Sequence, residues 1–554
     1  METLRIALAQ INPTVGDLKG NTEKIIEYIE KARASEADIV VFPELSITGY
    51  PPEDLLLNKS FLKDTRKYLG RVVPHTKEIL AVLGCVEVKN KGIYNAAAVV
   101  ANGKLVDVYH KANLERQSVF DDTRYFQQGK RHQLYRLNGI NFAITIGEEA
   151  LRTQPSDNTQ LIINIDASPY YVGSNTQKEK ALSRKAVENH AFIAHTNMVG
   201  GQDEVVFHGE SLIVNREGRV IAKGAPFEED LVVADLEFKT TIQKNNIETI
   251  EISLEPKQTR KPIKKRTIKT LEPLEMIYRA LVLGTRDYVR KNGFKKVVLG
   301  LSGGIDSSLV AVIAHDAVGK ENVTGIFMPT RYSSKESKED AYLLAKNLTI
   351  NITEAPIDSL FEAYLNVLKT HLKGSYVHLT EENIQPRIRA NILMAFSNTF
   401  SWLVLTTGNK SEVSTGYSTL YGDTAGGLAV LSDVTKTMVY KVATWRNKKE
   451  GHPLIPARVL KKAPSAELKH GQKDTDTLPP YEILDPIIKA YIENNKTIDE
   501  ISAMGYNREL VREVMGRVDH NEYKRRQCPI GIKITKKSFG KDRTFPITNK
   551  YRHT

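Results

Sequence analysis

The chain has 554 residues, 41% hydrophobic and 26% charged. That composition excludes a disordered chain, a collagen-like repeat and a disulfide-stapled miniprotein, and the length predicts two or three domains. The net charge of +12 is concentrated in two places. Residues 256–270 hold seven basic and no acidic side chains, and residues 520–554 hold ten basic and two acidic ones. A basic linker and tail are therefore expected rather than a nucleic-acid face, with a phosphorylated small molecule as another partner for the tail. Cys85 and Cys528 lie far apart without metal-ligand spacing, which excludes a disulfide framework and makes a reducing cytosol the expected setting. No run approaches the ~20 uncharged apolar residues of a membrane span, and METLRIALAQINP reads as a strand rather than a signal peptide.

In chain order, short branched apolar runs predict strands at 5–13, 37–44, 79–88, 142–149, 161–169, 192–199, 210–215, 219–224 and 230–237. Amphipathic stretches lie between them. The first, 21–36, carries Asn21 where an N-cap is expected. Many strands and few long helices predict a layered α/β sandwich over residues 1–240. Residues 241–270 lose periodicity and read as a linker. From 271 the pattern restarts: helix 271–293, strand 296–302, helix 308–319, strand 323–329. This is the βα alternation of a doubly wound parallel sheet, expected over 271–554.

Between the strand at 296 and the helix at 308 stands LSGGIDSS (301–308). Gly303 and Gly304 let backbone amides close on an anion, the helix N-terminus adds its positive end, and the hydroxyls of Ser302, Ser307 and Ser308 are candidate phosphate donors. Asp306 is out of place in an anion site unless it holds Mg²⁺ carried by the phosphates. The string lacks the GK[ST] of a Walker loop. It resembles instead the SGGxDS loop of the N-type ATP pyrophosphatases. Residues 382–398, 403–423, 464–485 and 521–529 then resemble, in order, the motifs of the glutamine-dependent NAD⁺ synthetase family. In that family a nitrilase-like αββα sandwich is fused to an ATP-pyrophosphatase domain.

The resemblance implies ATP-dependent amidation of nicotinic acid adenine dinucleotide (deamido-NAD⁺), releasing AMP and pyrophosphate, by a homo-oligomer. It implies ATP binding by 301–308 (Leu301 and Ile305 included), Thr407, Lys436 and Ser465. Mg²⁺ falls to Asp306 and Glu412, and the deamido-dinucleotide to Arg387, Glu412 and Lys524, with Tyr417 and Asp423 shaping the same pocket. The start of 328–348, rich in Ser and Lys, is a candidate closing loop. Other ATP pyrophosphatases, of the GMP or argininosuccinate type, are disfavoured by GNKSE and PSAEL…DTDTLPPY; a nucleotide-binding pseudoenzyme is disfavoured because these motifs show no losses.

The first domain resembles the nitrilase superfamily, whose members use Glu as general base, Lys to stabilise the tetrahedral intermediate and Cys as nucleophile. VVFPELSITGY supplies Glu44 and YHKANLERQS supplies Lys111. The third segment reads AITIGEEAL, with Gly147 in the nucleophile position. No acyl-enzyme can form on glycine, and losing a nucleophile costs on the order of a millionfold in turnover. Two further departures agree. Gln117 stands where the family's glutamine-binding Tyr is expected, and Ser174 replaces the Lys of SPxxxGK, leaving Ser168 as the retained member. His208 stands where Asp is usual. The expected activity is thus an ammonia-using synthetase with a vestigial glutaminase domain; a glutaminase with another nucleophile is the alternative.

Overall fold

In the strand Glu2–Gln10 the side chains alternate: Leu4, Ile6 and Leu8 enter one buried layer while Ala7 and Ala9 enter another. That period of two determines the architecture of the first unit. A six-stranded sheet runs in the order Asp230–Phe238, Glu2–Gln10, Ile39–Val41, Leu80–Lys89, Gly92–Ala101, Lys104–His110. A seven-stranded sheet runs Val220–Lys223, Leu212–Val214, Phe192–Asn197, Leu161–Asp166, Ile140–Ile146, Leu134–Leu137, Thr249–Ile252. Between the sheets, Leu4, Ile6 and Val82 pack with Ile144, Ile163 and Ala194. On the outer face of the first sheet, Ala7, Val40 and Ala81 pack on Ile25, Ile29 and Leu69 of helices Leu18–Ala34 and Lys59–Val72. On the outer face of the second, Ile162 and Ile193 pack on Leu182 and Ala186 of helix Ser174–Glu188. This is an αββα sandwich.

The computed structural model describes residues 2–117, 119–130, 133–156, 158–238, 249–255, 257, 260–263, 266, 270–372 and 378–553. The chain divides into two units, residues 272–554 with 203–205 and the remainder up to 271. Part of the expected linker 241–270 lies outside the described residues. Its described part belongs to the first unit: Thr249–Ile252 adds a parallel strand beside Leu134–Leu137, and Arg260 pairs with buried Asp38 at 2.7 Å. A four-residue strand, with Glu248 and Glu255 the charged residues beside it, leaves too short a periodicity to find in sequence. Asn21 is not the N-cap; Asp17 caps the helix, and the Asn21 side chain is buried, holding the backbone of Thr14 and Ile47. The hairpin Gly92–Ala101 to Lys104–His110 was also not expected, because its alanine-rich strand carries weak β signal.

The second unit is a five-stranded sheet, all parallel, in the order Asn351–Glu354, Val323–Phe327, Val297–Gly300, Leu403–Thr406, Leu428–Ala429. Numbered along the chain that order is 3-2-1-4-5. The connections depart to opposite sides after strands 1 and 4, which opens a crevice at their carboxyl ends. One face packs on helices Asp358–Leu372 and His378–Phe400 through Val298, Ile326, Phe361 and Ile388. Helix Ile305–Val318 is buried along almost its whole length among its neighbours. Helices Tyr481–Ile492 and Arg508–His520 build a further core with Phe545 from the basic tail. Lys533 in that tail is buried against Asp542, so these cations are partly structural rather than merely solvated. Among the described residues no helix is long and apolar enough to cross a membrane.

Candidate functional site

In the first unit, three strands deliver polar groups from their carboxyl ends to one place. Glu44 follows Ile39–Val41, Lys111 follows Lys104–His110, and Gly147 follows Ile140–Ile146. The Lys111 ammonium lies 2.9 Å from Glu44 Oε1 and 2.8 Å from Asp122 Oδ2, and Asn95 Nδ2 donates to the same Glu44 oxygen at 2.6 Å. Burial, opposed by Lys111, pushes the Glu44 carboxyl up to about 7. Lys111 is held above its ordinary value: burial would lower it, but Glu44 and Asp122 outweigh that. Gly147 has φ +63°, the left-handed region that disfavours side chains. A Cβ there would stand 3.0 Å from Lys111 Nζ and 3.5 Å from Glu44 Oε2. Gly147 thus faces the Glu44–Lys111 pair at close range, and no side chain grows from it.

Next to Gly147 the pocket is occupied internally. Lys178, one helical turn beyond Ser174, places its ammonium 2.9 Å from Asp166 Oδ2 and on Glu148. Ser168 Oγ donates to the same Asp166 oxygen at 2.7 Å. Burial would raise Asp166, but Lys178, His195 and Ser168 together draw it down to about 2. Ser174 Oγ accepts from the Tyr171 N–H, so it is spent on the helix start. Gln117 lies in a two-residue strand paired with Phe120, and its side chain is outside the described part. His208 is buried beside Glu210, with Nε2 3.8 Å from Oε2. Cys85 is sealed inside its strand, where burial pushes the thiol up to about 12.

The second unit holds a cavity of about 1030 Å³ at the crevice between strands 1 and 4. Leu301 to Ser307 line it, as do Thr407, Glu412, Tyr417, Asp423, Lys436, Ser465 and Lys524. Gly303 is required twice over: its φ is +76°, and a Cβ would stand 2.2 Å from the Ser337 carbonyl oxygen. Ser302 and Ser307 share a hydroxyl hydrogen bond of 3.0 Å at the loop's mouth. Ser308 does not reach the cavity. It donates back to the Gly304 carbonyl at 2.7 Å and is buried, because the first helical turn carries it round to the core.

Asp306 Oδ2 and Glu412 Oε1 share the Lys436 ammonium at 2.7 and 3.1 Å. Asn409, which sequence reasoning missed, organises this cluster. Its side chain caps helix Lys410–Thr415 in a capping box with Glu412, and its Nδ2 donates to Asp306 Oδ1 at 3.0 Å. Ser411 Oγ donates to Asp485 and accepts from the Lys436 N–H at 2.9 Å, which fixes the start of helix Lys436–Glu450. Lys410 is fully buried between Asp433 and Glu493. In the string GNKSE, Asn409 therefore caps, Lys410 anchors, Ser411 braces and Glu412 pairs with Lys436. Burial pushes Glu412 up to about 7 against the pull of Lys436. Asp423, buried and accepting from the Thr419 N–H, is likewise pushed up to about 7. Asp474 accepts from the hydroxyls of Tyr481 and Tyr417 at 2.8 and 3.4 Å. The segment after strand 2 is latched by Glu467, which accepts from Ser334 and Ser337 and pairs with Lys462 at 2.7 Å.

Arg387 departs from expectation. It is exposed, bonded to the Leu420 carbonyl at 3.2 Å, and does not line the cavity. On helix His378–Phe400 the lining positions 379, 382, 383, 386, 389, 390 and 393 fall within one arc at 100° per residue. Position 387 lies about 100° from the arc's centre. Arg389 is the arginine that faces inward. Lys524 does line the cavity, donating to the carbonyls of Gly416 and Ser418 at 2.8 Å each. A period-3.6 reading of the segment would have separated the two arginines.

A Gly-rich anion loop at the switch point of a parallel sheet, with two carboxylates and an ammonium opposite it, defines a nucleotide-activating domain; the sandwich bearing Glu44 and Lys111 defines a carbon–nitrogen hydrolase-like one. Residues 277–528 match the NAD synthase family, and residues 5–245 match the carbon-nitrogen hydrolase family. The chain is 46% identical over 582 aligned positions to the glutamine-dependent NAD(+) synthetase of Thermotoga maritima, covering all of both chains. It is 44% identical to that of Aquifex aeolicus, covering 99% of this chain and 100% of the relative. The glutamine-dependent NAD⁺ synthetase of Acinetobacter baumannii, solved in complex with ADP, superposes over the full length of both chains with a TM-score of 0.75 and 37% identity. The chain belongs to the glutamine-dependent NAD⁺ synthetase family and is a carbon–nitrogen ligase that forms NAD⁺.

Proposed function

We propose that this synthetase draws its nitrogen from free ammonia and that its glutaminase domain is vestigial. The observation that carries the reading is Gly147: the elbow facing Glu44 and Lys111 has no side chain. Cys528 belongs to the other unit, and Cys85 is buried inside its strand. Internal pairing of Lys178 with Asp166 and Glu148 further supports a pocket closed to an amino-acid substrate.

In the synthetase unit ATP lies along 301–308, within reach of Thr407 and Ser465, with the deamido-dinucleotide toward Lys524. A carboxylate oxygen of the pyridine acid attacks the α-phosphorus, the bond to the β-phosphate breaks, and pyrophosphate leaves. Ammonia then attacks the acyl carbon, the C–O bond to AMP breaks, and the nitrogen sheds a proton. Backbone amides of the loop and the Lys436 ammonium meet the charge that grows on the phosphate oxygens. The all-oxygen pair Asp306 and Glu412, already sharing a cation, fits Mg²⁺, which needs only one or two carboxylates when it rides on phosphates. When bound, the ion would neutralise charge on those oxygens. Asp423, with its proton affinity raised to neutrality and its place in the cavity wall, is the group suited to receive the proton from nitrogen.

The test is NAD⁺ formation from the deamido form with ammonium chloride or with glutamine as sole donor. Turnover with ammonium, and none with glutamine above the background of released ammonia, is expected. The names of the relatives favour one alternative, glutamine hydrolysis by a different nucleophile. Stoichiometric glutamate release with comparable turnover on glutamine would establish it.

A further inference from the structure

Among the described residues seven cations line the synthetase cavity, one of them Lys541, which pairs with Glu204 at 3.7 Å; the other six stand as follows. Lys436 is paired with Asp306 and Glu412, Lys462 with Glu467, and Arg525 and Arg526 with Glu522. Lys524 and Arg389 make no ion pair among the described residues. Lys524 rests on two carbonyls. Arg389 donates from Nε to the Met328 carbonyl at 2.9 Å, and its two terminal nitrogens have no partner among the described residues. A half-buried guanidinium with no carboxylate in direct ion-pair contact is costly unless a ligand supplies the counter-charge. Burial draws Arg389 down to about 10, and the charges of Glu467 and Asp358 oppose it only in part.

The two unpaired cations stand at different stations along the sheet. Arg389 is pinned to Met328, the residue that follows strand Val323–Phe327. Met328 in turn packs beside Gly300, the last residue of the strand that feeds the Gly-rich loop: a Cβ on Gly300 would stand 3.3 Å from Met328 Cε. Lys524 sits on the turn after helix Lys410–Thr415, beyond strand Leu403–Thr406 on the other side of the switch point. Both substrates of the proposed reaction are polyanions, and each station has one free cation. The Nε bond fixes the plane of the Arg389 guanidinium, leaving the fork of terminal N–H groups that grips a phosphate through two oxygens.

We propose that Arg389 is an ATP-binding residue that grips the phosphate chain of the nucleotide from the strand 2 side of the crevice, and that it does not contact the deamido-dinucleotide. The assignment rests on the reading of 301–308 as the ATP loop. It accounts for an inward-facing arginine two residues from the exposed Arg387, and it makes Arg389 a determinant of ATP affinity rather than of acceptor choice.

Isothermal titration of the full-length chain with Mg-ATP and with adenosine, joined to steady-state kinetics in both substrates, tests it. Arg389→Met should weaken Mg-ATP 10- to 100-fold and raise KM for ATP correspondingly. Adenosine affinity and KM for the deamido-dinucleotide should move less than 2-fold. Arg389→Lys keeps a charge and most of the volume but not the fork; it should weaken Mg-ATP about 3- to 10-fold, and it carries the test if the Met variant does not fold. Unchanged ATP affinity in a folded variant overturns the proposal, as does equal weakening of adenosine or of the deamido-dinucleotide. Wild-type chain that fails to bind Mg-ATP would instead overturn the reading of the loop on which the proposal stands.

Discussion

Replacing Gly147 by cysteine asks whether the first unit is one atom group short of an amidase or several. At φ +63° a non-glycine residue costs about 1–2 kcal/mol. The new Cβ would sit 3.0 Å from Lys111 Nζ, so the ammonium must withdraw by a few tenths of an ångström from a position held by Glu44 and Asp122. Together these set a loss of about 1–3 kcal/mol in the first unit, a fall in its melting temperature of about 2–10 °C. The cost is modest because the three atoms nearest that Cβ, Nζ and Cε of Lys111 and Oε2 of Glu44, lie at the far ends of flexible side chains. The thiol should therefore be accommodated and react with iodoacetamide, a gain of one carbamidomethyl group over wild type. Glutamine-driven NAD⁺ formation should nevertheless stay below about 1% of the ammonium rate, because forming an acyl-enzyme also requires the substrate to be bound and oriented. Lys178 still fills the space beside Asp166 and Glu148, and Ser174 still serves the helix start. Glutamate release, NAD⁺ formation and thermal unfolding measured on one preparation decide it. A single Gly147→Cys change that brought glutamine turnover within tenfold of ammonium would refute the argument that the pocket itself has been lost.

Lys436→Met leaves Asp306 and Glu412 facing each other without their shared cation; it should cost the second unit about 3–5 kcal/mol and reduce AMP release by at least a hundredfold, and millimolar Mg²⁺ without nucleotide should raise its melting temperature more than that of wild type. Gly303→Ala should abolish Mg-ATP binding, measured by titration, since the methyl would meet the Ser337 backbone at 2.2 Å in a left-handed position. Asp423→Asn tests the raised carboxyl. In the folded chain Asp423 keeps its proton up to about 7, whereas unfolded it ionises near 3.8, so its contribution to stability is whole below about pH 4 and is lost as pH rises toward 7. The asparagine variant should therefore gain in melting temperature relative to wild type between pH 5 and pH 8, while its rate with ammonia falls about 10²- to 10⁴-fold; an unchanged difference across that range would show that the group is not raised.

The elements that build both units were legible where a hydrophobic period persisted long enough. Alternation in Glu2–Gln10 and the apolar run before Leu301 predicted a sandwich and a wound sheet because burial on one face or two imposes those patterns directly. Gly147 and the Gly303–Gly304 pair were legible in sequence, since the absence of a side chain and the conformational freedom of glycine are facts about single residues. The short strand Thr249–Ile252 was not legible, because four residues in a polar, aperiodic stretch carry too little pattern to register.

What sequence fixed about the site was which kinds of group are present; which of them meet was decided only in three dimensions. Arg387 and Arg389 are equivalent as composition, and the helix's 100° step sends one to solvent and the other into the cavity. Lys178 carried no motif, and the packing of its helix on the second sheet brings its ammonium onto Asp166. Asn409 and Asp474 became site residues by bonds to partners 103 positions away and to Tyr417 across 57. Local sequence specifies backbone preference and reactivity, which are properties of a residue and its near neighbours. Proximity across such separations, and the charge balance that follows from it, exists only once burial has drawn distant strands and helices around a common crevice.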